Sequence, residues 1–263
     1  RSESRRTIMP ATLRRITIYP IKSLDGATVD EVDVLPSGAL ANDRRFALVA
    51  AGGRYVNGKS TAAVQRIRAE YDLAAMTVRF DGAETFSLLD DRAKAAAWLR
   101  AALGITCVLN EDVYRGFPDD ADAPGPTLVS TSTLETVASW FPGMALDEAR
   151  RRFRANLEID GVEPFWEDRL VGPAGTAVPF TIGAVAWLGV NPCQRCVVPT
   201  RDALTGKADR GFQKTFAERR RAALPTWAPA ERFDHFYRLA VNTKPATGDF
   251  SGRLRVGDAI SLA

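Results

Sequence analysis

Short runs of β-branched and aromatic residues, cut every few positions by glycine or proline, recur along this chain, and few stretches carry helical spacing. Strands that are short, numerous and rarely separated by helices do not build a doubly wound parallel sheet. They predict an α+β, β-rich protein whose second half is barrel-like. Residues 13–19 (LRRITIY) alternate and read as a strand, which Pro20 ends because proline cannot donate to a ladder. Residues 29–35 and 46–50 read as two more, with a return at 54–56 after Gly52-Gly53. Residues 75–80 and 84–88 form a hairpin pattern, and residues 105–109 are a strand holding Cys107, read as a small buried hydrophobe. Later strands are expected at 153–159, at 181–188 (interrupted by Gly183), and at 236–241, 254–256 and 259–262.

Helices are expected at five places. Residues 61–70 suggest a short one. A second is capped by Asp90 or Asp91 and stopped by Gly104, with a stripe of Ala95, Trp98, Leu99 and Ala102. Ser132-Thr133-Leu134-Glu135 matches a capping box for a third, running to about residue 141. Residues 146–152 form a fourth, and residues 212–224 a fifth with an arginine-rich face. The stretch 111–126, rich in Asp, Pro and Gly, reads as a boundary or long surface loop.

With 263 residues, 46% of them hydrophobic, the chain can bury a large core or two. A net charge of +3 from scattered arginines, without a Lys/Arg block, argues against nucleic acid as a partner. No apolar run approaches a membrane span of roughly 18 residues. Residues 1–6 lack the apolar segment of a secretory signal and read as a tail ahead of a natural start at Met9. A cytoplasmic protein, not attached to a membrane, is expected. Three cysteines are too few for a disulfide framework.

The chemistry concentrates in Cys193-Gln194-Arg195-Cys196. A thioredoxin-type dithiol needs its first cysteine at a helix N-terminus, and Val197-Val198-Pro199 predicts extended chain there instead. Structural zinc takes four Cys or His ligands, and only Cys107 and His235 remain to complete a set. His235 reads as a packed or surface residue. A thiolate ligand for a redox-active metal, with Arg195 as support for anionic charge, stays open beside two inert cysteines.

Five blocks, in order, resemble the MOSC family, named for the C-terminal domain of molybdenum-cofactor sulfurase, and in particular its amidoxime-reducing branch. They are Ile18-Tyr19-Pro20-Ile21-Lys22-Ser23, Asn42-Asp43-Arg44-Arg45-Phe46, Arg152-Phe153-Arg154-Ala155-Asn156-Leu157, Cys193 through Gly206, and Arg253-Leu254-Arg255-Val256-Gly257-Asp258. The resemblance implies a smaller N-terminal α/β domain over residues 10–112, whose first strand joins the barrel, a linker at 113–125, and a MOSC domain at 126–263. It implies a molybdenum cofactor, a pyranopterin dithiolene with a phosphate tail, and no pyridoxal phosphate. Cys196 would supply the metal ligand. Lys22, Ser23, Arg44, Arg154, Asn156 and Arg195 would hold the cofactor, and Asp202 is a candidate proton donor. The reaction implied is reduction of a small N-hydroxylated substrate, fed by a separate electron-donor protein (a reductase, cytochrome b5-like or ferredoxin-like), since no iron–sulfur cysteine set follows. A cofactor carrier or sulfur relay without turnover is the alternative, and a metal-free dithiol oxidoreductase a third. Departures from the family pattern are Ala155 for proline, Pro199 for threonine, Arg201 at a variable site, and Leu204 where an aspartate is common.

Overall fold

A computed structural model describes residues 11–246 and 251–262. The proposed tail and the start at Met9 lie outside the described residues. In the first part of the chain the strands are β1 (Thr12–Ile18), β2 (Ala27–Val29), β3 (Glu31–Val34), β4 (Phe46–Ala50), β5 (Ala69–Asp72), β6 (Thr77–Phe80), β7 (Thr85–Ser87) and, after helix α1 (Arg92–Leu103), β8 (Cys107–Glu111). The second part runs β9 (Leu128–Ser130), α2 (Thr131–Ser139), α3 (Leu146–Phe153), β10 (Leu157–Asp160), β11 (Val178–Ile182), β12 (Val185–Gln194), α4 (Phe212–Ala222), β13 (Arg238–Pro245), β14 (Gly252–Arg255) and β15 (Ile260–Leu262).

The largest sheet runs β15-β11-β12-β13-β9-β10-β1-β2, antiparallel except for β9 and β10. It curls back on itself. Thr12 bridges to Ala259, and Leu13 N–H donates to the Asp258 carbonyl at 2.8 Å. A β-rich barrel results, with β1 completing it and β3 pairing with β14 outside it. Leu13 and Ile16 are both buried although three positions apart, which simple alternation forbids. A register shift between Leu13 and Arg15 against β10 supplies the extra residue. The barrel interior holds Ile16, Ile18, Leu128, Leu157, Phe180, Trp187 and Val241. A second core lies among β4 to β8 and α1, and a third, rich in phenylalanine, beneath α2, α3 and α4.

Several expected elements are redrawn by local bonding. The 181–188 strand is two, β11 and β12, hairpinned at Gly183, whose φ of +55° suits a turn. The 61–70 helix is a 3-10 turn, Ala62–Arg66, followed by β5, since Asp25 takes the Ala69 N–H and the Arg68 guanidinium at 3.1 Å each. Ser130, not Ser132, caps α2, accepting from Thr133 N–H at 3.2 Å, and the Ser132 hydroxyl goes to the Val162 carbonyl. Asp91 stands at the N-cap of α1 without a side-chain cap bond and pairs with Lys94 instead. Ala96 is buried on that helix where Ala102 was expected. Residues 153–156 are not strand: Phe153 closes α3, and Arg154 is left-handed at its C-cap.

The 3-10 turn Trp166–Leu170 packs tightly on the barrel; a Cβ on Gly189 would sit 2.0 Å from the Leu170 carbonyl oxygen. Its Glu167 is buried and accepts from Ser130 Oγ (2.9 Å) and Thr133 Oγ1 (3.1 Å). Burial, then the neighbouring Asp168 charge, push the Glu167 carboxyl up to about 7 from its ordinary 4.5. A carboxyl raised on folding stabilises the fold below its unfolded value, and that contribution is lost as pH rises through the folded one. Stability against urea is therefore expected to fall by about 3 kcal/mol between roughly pH 4.5 and 7. Glu167→Gln keeps the shape without the charge and should flatten that slope; equal slopes in both proteins would refute the assignment. Among the described residues, no helix is long and apolar enough to cross a membrane.

Candidate functional site

The first three sequence blocks meet at one corner. The chain after β1 lies beside the chain before β4: Arg44 N–H donates to the Tyr19 carbonyl at 2.8 Å, and Phe46 N–H to the Pro20 carbonyl at 2.9 Å. Pro20 is tolerated because its carbonyl, not its missing N–H, is what the pairing uses. Buried Asp43 accepts from Tyr19 N–H at 2.9 Å and pairs with Arg44 at 2.5 Å. The third block joins through Arg154, whose guanidinium lies 4.1 Å from the Tyr19 ring centre and donates to the Leu24 carbonyl at 2.6 Å. The fourth joins through Arg195, which donates to the Phe153 carbonyl and, at 3.1 Å, to Cys193 Sγ.

These blocks wall a cavity of about 1020 Å³. Lys22, Ser23, Arg44, Arg154, Arg195, Cys193 and Cys196 all line it. The lining carries eleven lysines and arginines against four carboxylates, so the chain's modest positive charge is gathered on one concave surface. Such a surface focuses a field that attracts anions. Ser23, Arg44 and Arg154 have positive φ (74°, 48° and 51°), a conformation that non-glycine residues keep only where the surrounding structure holds them. Lys22 is buried, its Nζ 2.9 Å from Asp119 and 2.8 Å from the Phe117 carbonyl. Burial lowers its ammonium pKa against the pull of Asp119. Burial would raise the Asp119 carboxyl, but Arg44, Lys22 and Lys59 outweigh it and hold it well below the usual carboxylate range.

Two expected residues stand apart. Asn156 does not line the cavity: just ahead of β10, its amide donates to the Thr17 carbonyl on β1 at 3.1 Å and accepts from Thr127 N–H, just ahead of β9. Asp202 is also outside the lining. It closes a turn by accepting from Thr205 Oγ1 and N–H at 2.7 Å each and from Leu204 N–H. Those bonds, Thr205 first, lower its carboxyl pKa, the wrong direction for a proton donor near neutral pH. After the cysteine pair the chain turns: Val198–Thr200 is a 3-10 turn with Pro199 supplying its preset φ, so the expected extended segment is corrected. Three residues still make no helix and no macrodipole for a reactive thiol. Cys107 is buried, and burial raises its thiol pKa. His235 lies outside the lining. Asp119 and Lys59 sit in stretches with no periodicity and carry no sequence signal, whereas Asp43 lies inside the second block and its positioning role follows only from its bonds to Tyr19 and Arg44.

Residues 10–106 match the MOSC N-terminal beta barrel domain and residues 127–261 the MOSC domain, and the chain belongs to the MOSC family, which is associated with molybdenum-cofactor binding. No curated protein matches the chain. Among solved structures, the YuaD protein from Bacillus subtilis is similar over 96% of this chain and 94% of its own, at 11% identity and a TM-score of 0.39.

The residues present suit a cofactor that brings its own metal and most of its ligands. Among the described residues, no three His, Cys, Asp or Glu side chains gather to hold a metal ion. The wall offers thiols and a cationic corner. The buried Arg195 Nε, on a residue that lines the cavity, has no hydrogen-bond partner among the described residues.

Proposed function

We propose that this chain binds molybdenum cofactor in the cationic cavity and reduces N-hydroxylated small molecules, with electrons from a separate donor protein of cytochrome b5-like or ferredoxin-like type. The observation that carries the reading is the union, around one cavity, of Lys22, Arg44, Arg154 and Arg195 with Cys193 and Cys196. Lys22 and Arg44 suit the cofactor's anionic tail, and Ser23 can hydrogen-bond the polar pterin edge. Arg154 and Arg195 are held by carbonyls at Leu24 and Phe153, so they meet a ligand in fixed orientation with little side-chain entropy to lose. Cys196 provides the thiolate to the metal. When bound, the cofactor supplies the two-electron oxygen-transfer chemistry. Removing the N-hydroxyl oxygen takes two electrons and two protons and gives an amine or amidine and water. Water supplies the protons in this reading, because Asp202 is outside the cavity lining and its carboxylate is held by Thr205 and Leu204.

Elemental analysis of the purified protein should find molybdenum near one atom per chain in excess of zinc. The loaded protein should then reduce a hydroxylamine or amidoxime with an artificial electron donor. Stoichiometric molybdenum without turnover would instead support a cofactor carrier. Turnover without molybdenum would support a dithiol enzyme.

A further inference from the structure

Residues 118–124 run along the cavity wall outside any strand or helix. Both flanks are pinned. Phe117 N–H donates to the Arg44 carbonyl at 2.9 Å, and Gly125 N–H to the Thr243 carbonyl at 3.0 Å. Gly125 is pressed so close that a Cβ there would lie 2.6 Å from Thr243 Oγ1. Between the pins, the Asp119 carboxylate faces three cations: Lys22 Nζ at 2.9 Å, Lys59 Nζ at 3.5 Å and Arg44 Nε at 3.9 Å. Lys22 Nζ also reaches the Pro118 carbonyl at 3.3 Å, and Ala123 is tucked in at the far end. The Asp119 side chain remains 51% exposed, so the contact can be opened from solvent.

We propose that residues 118–124 are a displaceable strap, in which Asp119 is a built-in counter-anion that holds the strap over the cationic corner and yields its place to a phosphate-bearing ligand. The inference rests on the anionic-cofactor reading above and adds Asp119 and Lys59 to it. Of the three cations, Arg44 also pairs with Asp43, while Lys22 and Lys59 have no other carboxylate partner among the described residues. Asp119 brings a single charge to all three. A phosphomonoester brings nearly two and a third acceptor oxygen, so it wins the same donors. Asp119 then costs affinity but keeps the cations satisfied, and the pinned ends limit how far the strap can travel.

The test uses the full chain and inorganic phosphate as probe. Asp119→Asn is expected to bind phosphate about tenfold more tightly than wild type by calorimetry, because a competing charge is gone. Asp120→Asn is the charge-matched control: Asp120 lines the cavity, but its carboxylate accepts from Asp122 N–H, and affinity should stay near wild type. In wild type, phosphate should also speed amide exchange across residues 118–124. Equal phosphate affinity in wild type and Asp119→Asn, with unchanged exchange, would overturn the strap while leaving the corner an anion site. Equal tightening in both aspartate variants would reduce the effect to net charge and overturn it too. No phosphate binding in any of the three would overturn the anion reading and the strap together.

Discussion

Cys196→Ala is expected to lower the molybdenum content of the purified protein more than tenfold and to remove N-hydroxyl reduction with it. The wall supplies only two sulfur donors, and they are not equivalent. Cys193 is the penultimate residue of β12, its Sγ already meets an Arg195 nitrogen at 3.1 Å, and its side chain packs on the phenylalanine-rich cluster. Cys196 lies past the strand on the cavity wall, and among the described residues no hydrogen bond claims its thiol. A soft thiolate has no close substitute among the hard oxygen and nitrogen groups nearby. Cys193→Ala should therefore cost several-fold in activity, through the freed Arg195, and keep most of the metal. Metal analysis beside activity separates loss of the ligand from loss of folding, which circular dichroism of both variants would report. The reverse pattern, molybdenum retained in Cys196→Ala and lost in Cys193→Ala, would make Cys193 the ligand.

How much of this site was legible depends on how local each signal is. The cysteine pair, Lys22, Ser23, Arg44 and Arg154 sit in short blocks with recognisable chemistry, and the structure brings them to one cavity. Most longer strands were legible too, because β-branched alternation survives whatever the strand pairs with, whereas the short β2, β5 and β9 were not. Partnership was not: that β1 lies against β10, more than a hundred residues on, leaves no mark inside either segment. Cap chemistry misled for a related reason. Ser130 and Ser132 are both capable caps, and the choice was made by β9, whose end fixes where α2 begins. The Asn156 amide suits a pterin edge, but in the fold it meets two backbone groups, the Thr17 carbonyl on β1 and the Thr127 N–H just before β9. Asp119 was illegible in an Asp-rich loop, since its meaning comes entirely from the cations it meets.

The arginine-rich face of α4 gives the second large effect. Read along the helix, Arg219, Arg220 and Arg221 form a solvated run, yet Arg220 is 1% exposed. Its guanidinium lies between the Phe165 and Phe233 rings, 4.2 and 4.8 Å from their centres, and pairs with buried Asp168 at 2.5 Å. Burial pushes the Asp168 carboxyl up, and Arg220 is what opposes it. Asp168 and Glu167 are adjacent on the turn that braces β9 and β12, so removing Arg220 leaves the buried Asp168 carboxylate without its cation and beside a second buried carboxyl. Arg220→Met should cost about 3–5 kcal/mol, the price of an unpaired buried charge. The cost should shrink as pH falls, because protonating Asp168 removes the uncompensated charge, whereas a simple packing defect would cost the same at every pH. The double variant Arg220→Met with Asp168→Asn should regain much of the loss, since an apolar side chain beside a neutral amide no longer strands a charge. Urea melts of the single and double variants at pH 5 and pH 8 measure both claims. A single variant within about 1 kcal/mol of wild type would mean that the buried pair contributes no more than a surface one.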